Sequence, residues 1–134
     1  MNDACWLENL VEEHLTNPMF GVETLAEWMH LSPLQLRLLT QRAFAMTPSQ
    51  FIDCRRLRRA ALLLLRHEHP YVVCRMAGFP CMRLFRRSFA RGFHMTPVEF
   101  QAKMRQMNGQ DGVVLDSLLS PAFIRFIDET RGVS

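Results

Sequence analysis

Apolar residues recur every three or four positions along most of the 134-residue chain, with polar residues between them. This spacing is typical of amphipathic helices, and no stretch alternates strictly for long enough to predict a strand. We therefore predict an all-α fold. The first helices are expected from about Trp6 to Asn17, across Val22 to Met29, from Pro33 to about Phe44, and from Pro48 to about Arg66.

The second half of the chain repeats this order. A short helix is predicted around Val73, Met76 and Ala77, followed by a turn at Gly78-Phe79 and a helix over 82–93. A last helix is expected from Pro97 to about Met107. Helical spacing predicts buried side chains in the two helices that follow a turn, at Leu36, Leu39, Ala43, Phe85 and Phe89.

Two eight-residue segments are nearly the same, FAMTPSQF at 44–51 and FHMTPVEF at 93–100. Each contains Thr-Pro with a Gln or Glu three positions after the Thr. Such a segment starts a helix, because the Thr hydroxyl accepts from a free backbone N–H, Pro suits the first helical position, and the Gln or Glu reaches back. Ser32-Pro33-Leu34-Gln35 is a third such start, and Ser120-Pro121 is expected to open one more helix in the tail.

A short helix, a tight turn and a second helix make a helix-turn-helix, whose second helix is offered to the major groove of DNA. The chain predicts two such units, the first over about 22–46 and the second over about 71–95, joined by a linker helix over about 48–66. Together they form a predicted domain over 4–107 with about seven helices. A tail over 108–134 is predicted to contain one more helix.

Charge is strongly segregated, although the net value is only +3. Residues 1–31 hold six acidic residues and no Lys or Arg. Residues 32–107 hold fourteen basic residues, thirteen of them Arg, against three acidic ones. A compact block this basic is typical of proteins that bind a polyanion, most often nucleic acid.

The linker helix sets the spacing of the two units. Eighteen helical residues measure about 27 Å, and successive major-groove faces of B-DNA recur about every 34 Å. One chain could therefore hold two recognition helices in adjacent grooves of a duplex, as a dimer usually does. We accordingly expect a monomer or a weak dimer.

The two helices offered to DNA differ in their outward faces. In the second unit, Arg83, Arg86 and Arg87 share one face, opposite the two phenylalanines, and Arg bonds well to guanine edges. The outward residues of the first unit are Leu34, Arg37, Leu38 and Gln41, with Gln35 beside them. Its two leucines fit contact with thymine methyl groups, the interpretation we favour, or a unit that binds protein instead of bases.

Several other classes of site and location are not indicated. The four cysteines show no metal or disulfide pattern, and we expect reduced, mostly buried thiols. No His spacing indicates a metal site, and no cofactor motif is present. No apolar run is long enough to span a membrane and no signal peptide is evident, so we predict a cytoplasmic protein without membrane contact.

The sequence resembles the DNA-binding domain of the AraC/XylS family of bacterial transcription regulators. The matching segments are ETLAEWMHLSPLQL, FIDCRRLRRAALLLL and AGFPCMRLFRRSFARGFHMTPVEF, within about residues 4–102. The segment LENLVEEHLTNPMFGVETLA is most similar to versions at the output end of hybrid two-component sensors. The resemblance implies promoter binding and, usually, activation of transcription through RNA polymerase.

Carried over by position, the resemblance implies base readers at Leu34, Gln35, Arg37, Leu38, Met82, Arg83 and Arg86. It implies a phosphate-binding or structural role for Arg87 and a packing role in the linker for Arg56, Leu57 and Ala60. Ala45 and His94 stand where the family often has a Gly that ends the recognition helix. A left-handed residue is expected at both positions.

Two other functions are compatible with single features. The outward leucines and the apolar tail would suit a module that binds another protein as an anti-activator or docking domain. The segment FPCMR at 79–83 is similar to the Pro-Cys-His-Arg nucleophile of DNA alkyl transferases. Met82 stands in place of the activating His, so we predict that the protein is not an enzyme.

Overall fold

The computed structural model describes residues 2–106. Within that range the chain is all-α, as predicted, and its seven helices are α1 (Asp3–His14), α2 (Val22–Trp28), α3 (Pro33–Phe44), α4 (Pro48–Leu65), α5 (Pro70–Met76), α6 (Met82–Phe93) and α7 (Pro97–Gln106). The order of short helix, turn and longer helix occurs twice, as α2 with α3 and α5 with α6. The predicted tail over 108–134 and its helix lie outside the described residues.

The predicted helix starts form as the sequence indicates. At α3 the Ser32 hydroxyl accepts from Gln35 N at 3.1 Å, and the Gln35 Oε1 accepts from Ser32 N at 2.8 Å. Thr47 and Gln50 form the same reciprocal pair at the start of α4. These bonds satisfy backbone donors that have no partner inside the helix, and therefore fix where α3 and α4 begin.

The repeated segment has one structural role in both units. Its first and last residues are phenylalanines, whose rings pack across the turn at centroid distances of 4.4 Å for Phe44 with Phe51 and 5.3 Å for Phe93 with Phe100. Between them a left-handed residue ends one helix and a Thr-Pro pair starts the next. The segment is repeated because α3 and α6 are each joined to the following helix in the same way.

The residues that end α3 and α6 are left-handed, as expected. Ala45 has φ 58° and ψ 35°, and His94 has φ 61° and ψ 25°. This conformation crowds a Cβ against the backbone, so an alanine in it is strained by about 1 kcal/mol relative to glycine.

Replacing Ala45 with glycine should therefore raise the free energy of unfolding by about 0.5–1 kcal/mol. The matched control is Ala43→Gly, two residues earlier and exposed within α3, which should lower it by about the same amount because glycine is costly inside a helix. Urea unfolding followed by circular dichroism measures both. If both variants changed the free energy of unfolding in the same direction, the strain at Ala45 would be contradicted.

α4 forms the centre of the domain and contacts α2, α3, α5, α6 and α7. Its buried residues include Leu57, Ala60 and Ala61. The two alanines are small enough for neighbouring helices to approach closely. At its end, the buried side chain of Gln101 donates from Nε2 to the carbonyls of Leu64 and Glu68, at 3.1 and 2.7 Å. The linker is thus a packed element that holds both units.

Arg56 lies inside the domain although it is charged. It is 7% exposed and donates to three carbonyls between α1 and α2, from Nε to Leu15 O at 2.8 Å and from Nη2 to Asn17 O and Phe20 O, each at 3.0 Å. Burial lowers the pKa of Arg56, and the nearby Asp53 opposes this effect. Arg56 therefore anchors the α1–α2 connection to the linker, which agrees with the packing role expected for it.

Gly78 brings the turn of the second unit against the end of α1. Its φ is 91°, and a Cβ added there would collide with the backbone carbonyl of Leu15. Only glycine meets both conditions, the left-handed backbone and the close approach. The Leu15 carbonyl is thus held between Arg56 and this turn, which ties α1 to the second unit.

Two expectations about burial were wrong. Ala43 is exposed, and Thr40 is fully buried in its place, with its hydroxyl donating to Arg37 O at 3.1 Å. The inward side of α3 therefore follows every fourth residue from Leu36 to Phe44. Of the cysteines expected to be mostly buried, two are buried and two are exposed.

Candidate nucleic-acid interface

α6 separates its packing face from an arginine face. Phe85 and Phe89 are fully buried, and they lie against each other and against Phe79 and Phe100. The arginines predicted to face outward, Arg83, Arg86 and Arg87, are all exposed. The aromatic cluster fixes the rotation of the helix, and so presents the arginines to solvent.

The arginines of α6 have no acidic partner in the described part of the chain. None of them is among the salt bridges formed by residues 2–106. The sequence itself contains no Asp or Glu from 28 to 52 or from 69 to 98, which covers both α3 and α6. Within residues 2–106, both faces are therefore positively charged and not neutralised by an acidic side chain.

The arginines of the linker are largely engaged within the protein. Arg55 pairs with Glu8 at 2.9 Å and with Glu12 at 3.4 Å. Arg59 donates from Nε to the Met76 carbonyl at 3.1 Å, and Arg56 is buried. The charge that α4 offers to a polyanion is thus smaller than the sequence count indicates, whereas the exposed arginines of α3 and α6 form no salt bridge within residues 2–106.

α3 presents a mixed face of apolar and polar side chains. Leu34 is 65% exposed and Leu38 is 48% exposed, and Arg37 and Gln41 are also exposed. Gln35 is exposed as well, but its Oε1 is already bonded to the start of the helix. The predicted outward positions are confirmed as outward, with Gln35 committed to a structural bond.

Met82 differs from the other candidate residues because it is only partly exposed and packs against the core. Two exposed arginines on the same two helices were not among the candidates: Arg42 and Arg91. Arg42 and Arg91 lie in the last turns of α3 and α6. Helical periodicity could have indicated them, since each follows another outward residue by four positions.

The two cysteines near α6 have different surroundings. Cys74 is buried and its thiol donates to the Phe79 carbonyl at 3.8 Å. Burial raises the pKa of Cys74, nearby Cys81 adds to the effect, and Arg86 opposes it. Cys81 is exposed directly before α6, and its chain neighbour is Met82 where an activating histidine would be needed.

Residues 2–106 contain no group of three or more His, Cys, Asp or Glu that could hold a metal ion. No helix within these residues is both long and apolar enough to cross a membrane. A groove of about 340 Å³ lies between α1 and α4, lined by Glu8, Asn9, Glu12, Arg55, Arg58, Arg59 and Leu62. Its charges are of both signs, and none of its lining residues belongs to α3 or α6.

The protein is similar to known helix-turn-helix proteins. The family model for the helix-turn-helix domain matches residues 25–103, more than half of the chain. The C-terminal domain of the two-component response regulator YesN from Fusobacterium nucleatum has a TM-score of 0.71 at 24% identity, and the match covers 75% of this chain and 99% of that one. At that identity the likeness shows the fold. None of the curated proteins gives a significant match.

The family match spans both helix-turn-helix pairs and the linker between them. The structural likeness extends the agreement to the whole seven-helix arrangement of the described residues. The chain therefore belongs to the AraC-type helix-turn-helix family, whose members are DNA-binding regulators of transcription.

Proposed function

We propose that this protein binds promoter DNA sequence-specifically, with α3 and α6 in adjacent major grooves of one duplex, and that it activates transcription through RNA polymerase. The observation that carries the proposal is the exposed arginine face of α6, which no acidic residue neutralises within residues 2–106. The proposal places the protein in the cytoplasm and requires no cofactor.

The linker supports the use of two grooves. α4 has 18 residues and is packed against helices of both units, and a helix of that length measures about 27 Å. A rigid connection of this size suits two contacts about one turn of duplex apart. The contacts proposed for α6 are Arg83 and Arg86 on guanine edges and Arg87 on phosphate, with Met82 at the rim.

Selection of bound duplexes from a random pool tests the proposal. Two preferred half-sites about ten base pairs apart are expected if both helices read bases. One half-site would show that α3 does not, and no preferred sequence would contradict specific binding by this chain.

Salt dependence of binding supplies a second test. With about six phosphate contacts, the logarithm of the affinity should fall with the logarithm of salt concentration at a slope near −5. Fluorescence anisotropy of a labelled promoter-length duplex measures it. A slope near zero on every duplex would contradict an interface built from arginines.

A second candidate function rests on Leu34 and Leu38. Exposed apolar side chains mark protein-binding surfaces more often than chance, so α3 could dock another protein while α6 alone binds DNA. Replacing the two leucines distinguishes the two functions. If α3 reads bases, the DNA sequence preference changes; if α3 docks a protein, the association with that protein is lost.

A further inference from the structure

The exposed leucines of α3 raise a question that charge alone does not answer. Leu34 and Leu38 expose large apolar surfaces to solvent, at positions that polar side chains could occupy. They lie four residues apart on one face, with Arg37 and Gln41 beside them. The two leucines lie beside a cationic and an amide side chain. Such a surface suits a ligand that is negatively charged and also presents apolar atoms.

The major groove of DNA is such a ligand. Its floor presents hydrogen-bonding groups and one apolar group, the C5 methyl of thymine, while the phosphates on both sides are anionic. A protein partner would neutralise Arg37 and Arg42 only if it placed carboxylates opposite them. DNA carries a negative charge at every phosphate and therefore meets both arginines without special placement. The absence of acidic residues from 28 to 52 favours the same ligand.

α6 has a different chemistry on the corresponding face. Arg83 and Arg86 suit bidentate bonds to the O6 and N7 atoms of guanine. The side chains of α3 instead suit thymine methyl groups through the leucines and adenine through Gln41. Two units of the same fold therefore present unlike surfaces to the duplex.

Resting on the proposed function, we infer that Leu34 and Leu38 read thymine methyl groups, so that the DNA site is asymmetric, with a thymine-containing half at α3 and a guanine-containing half at α6. The two leucines are about 6 Å apart along the helix axis, and base pairs are about 3.4 Å apart along the duplex. The contacted thymines should therefore lie within about two base steps of each other.

The test removes the methyl group from DNA without changing its base pairing. In the tightest duplex from the selection, each thymine is replaced in turn by deoxyuridine, and affinity is measured at one salt concentration. For the unaltered protein, we expect about a fourfold loss at each contacted thymine, the effect of burying one methyl-sized group. The sensitive thymines should cluster in one half of the site.

The protein variants make the test specific. In the Leu34→Ala, Leu38→Ala double variant, binding to the thymine duplex should weaken by about 15-fold, as for two methyl contacts, and deoxyuridine should then have no further effect. The matched control is Leu84→Ala, which removes an exposed leucine of α6 that is 37% exposed and should keep the deoxyuridine pattern. Replacing guanine by 7-deazaguanine should weaken binding only in the other half.

The outcomes separate this inference from the proposed function. Specific binding that ignores deoxyuridine at every position would overturn the methyl contacts and leave DNA binding standing. A double variant with unchanged affinity and an unchanged deoxyuridine pattern would also overturn them. Failure to bind any duplex specifically would overturn the proposed function itself. Because both leucines are exposed, the double variant should melt like the unaltered protein, which circular dichroism checks.

Discussion

Replacing Arg83 and Arg86 together by alanine is expected to weaken binding to the selected duplex by about 100-fold or more, because each bidentate contact to guanine contributes about 1–3 kcal/mol of discrimination. Both side chains are exposed and lie outside the salt bridges of residues 2–106. The variant should therefore fold normally. Titration of labelled specific and scrambled duplexes measures the loss.

The control for this experiment is the Arg83→Lys, Arg86→Lys variant. Lysine keeps the positive charge but lacks the planar fork that binds two guanine atoms at once. It should preserve the salt slope and the affinity for scrambled DNA while losing preference for the selected sequence. If the alanine variant is folded and binds the selected duplex as tightly as the unaltered protein, α6 does not read bases.

Arg56→Ala is expected to lower the free energy of unfolding by about 3 kcal/mol, because it leaves the carbonyls of Leu15, Asn17 and Phe20 without their donors. For a domain of this size such a loss corresponds to a fall in Tm of about 15 °C. Thermal and urea unfolding followed by circular dichroism measure it. The α1–α2 connection should also become more accessible to proteases.

The neighbouring Arg55 supplies the matched control. Its guanidinium pairs with Glu8 and Glu12 near the surface, and such exposed pairs contribute about 0–1 kcal/mol. Arg55→Ala should therefore lower Tm by only a few degrees. Equal falls in Tm for Arg56→Ala and Arg55→Ala would show that the buried hydrogen bonds of Arg56 stabilise the fold no more than the ion pairs of Arg55.

Local chemistry was enough to predict most of the secondary structure. Ser32 and Thr47, each followed by Pro and by Gln three positions after the cap, placed the starts of α3 and α4 at the residues where the structure has them. These features depend on bonds within four residues of each other, so they need no tertiary contact. The left-handed ends at Ala45 and His94 were instead implied by the resemblance to the family, because alanine has no local preference for that conformation.

The outward face of α6 was also predictable, because two fully buried phenylalanines oblige the arginines to face solvent. The burial of Thr40 in place of Ala43 was not predictable from the sequence. Both residues are small and lie near the inward side of α3, and only the position of the neighbouring helices selects between them. A hydroxyl that bonds to its own helix backbone can be buried at little cost.

The amino-acid order alone thus established the helices, the starts of α3 and α4, the duplication of the helix-turn-helix and the basic character of α3 and α6. The roles of individual arginines depended on the folded chain. Arg55, Arg56 and Arg59 look alike in the sequence, yet one pairs with acidic residues of α1, one is buried against three carbonyls and one bonds to the end of α5. Their partners lie 17 to 47 positions away, and only packing brings such distant groups together.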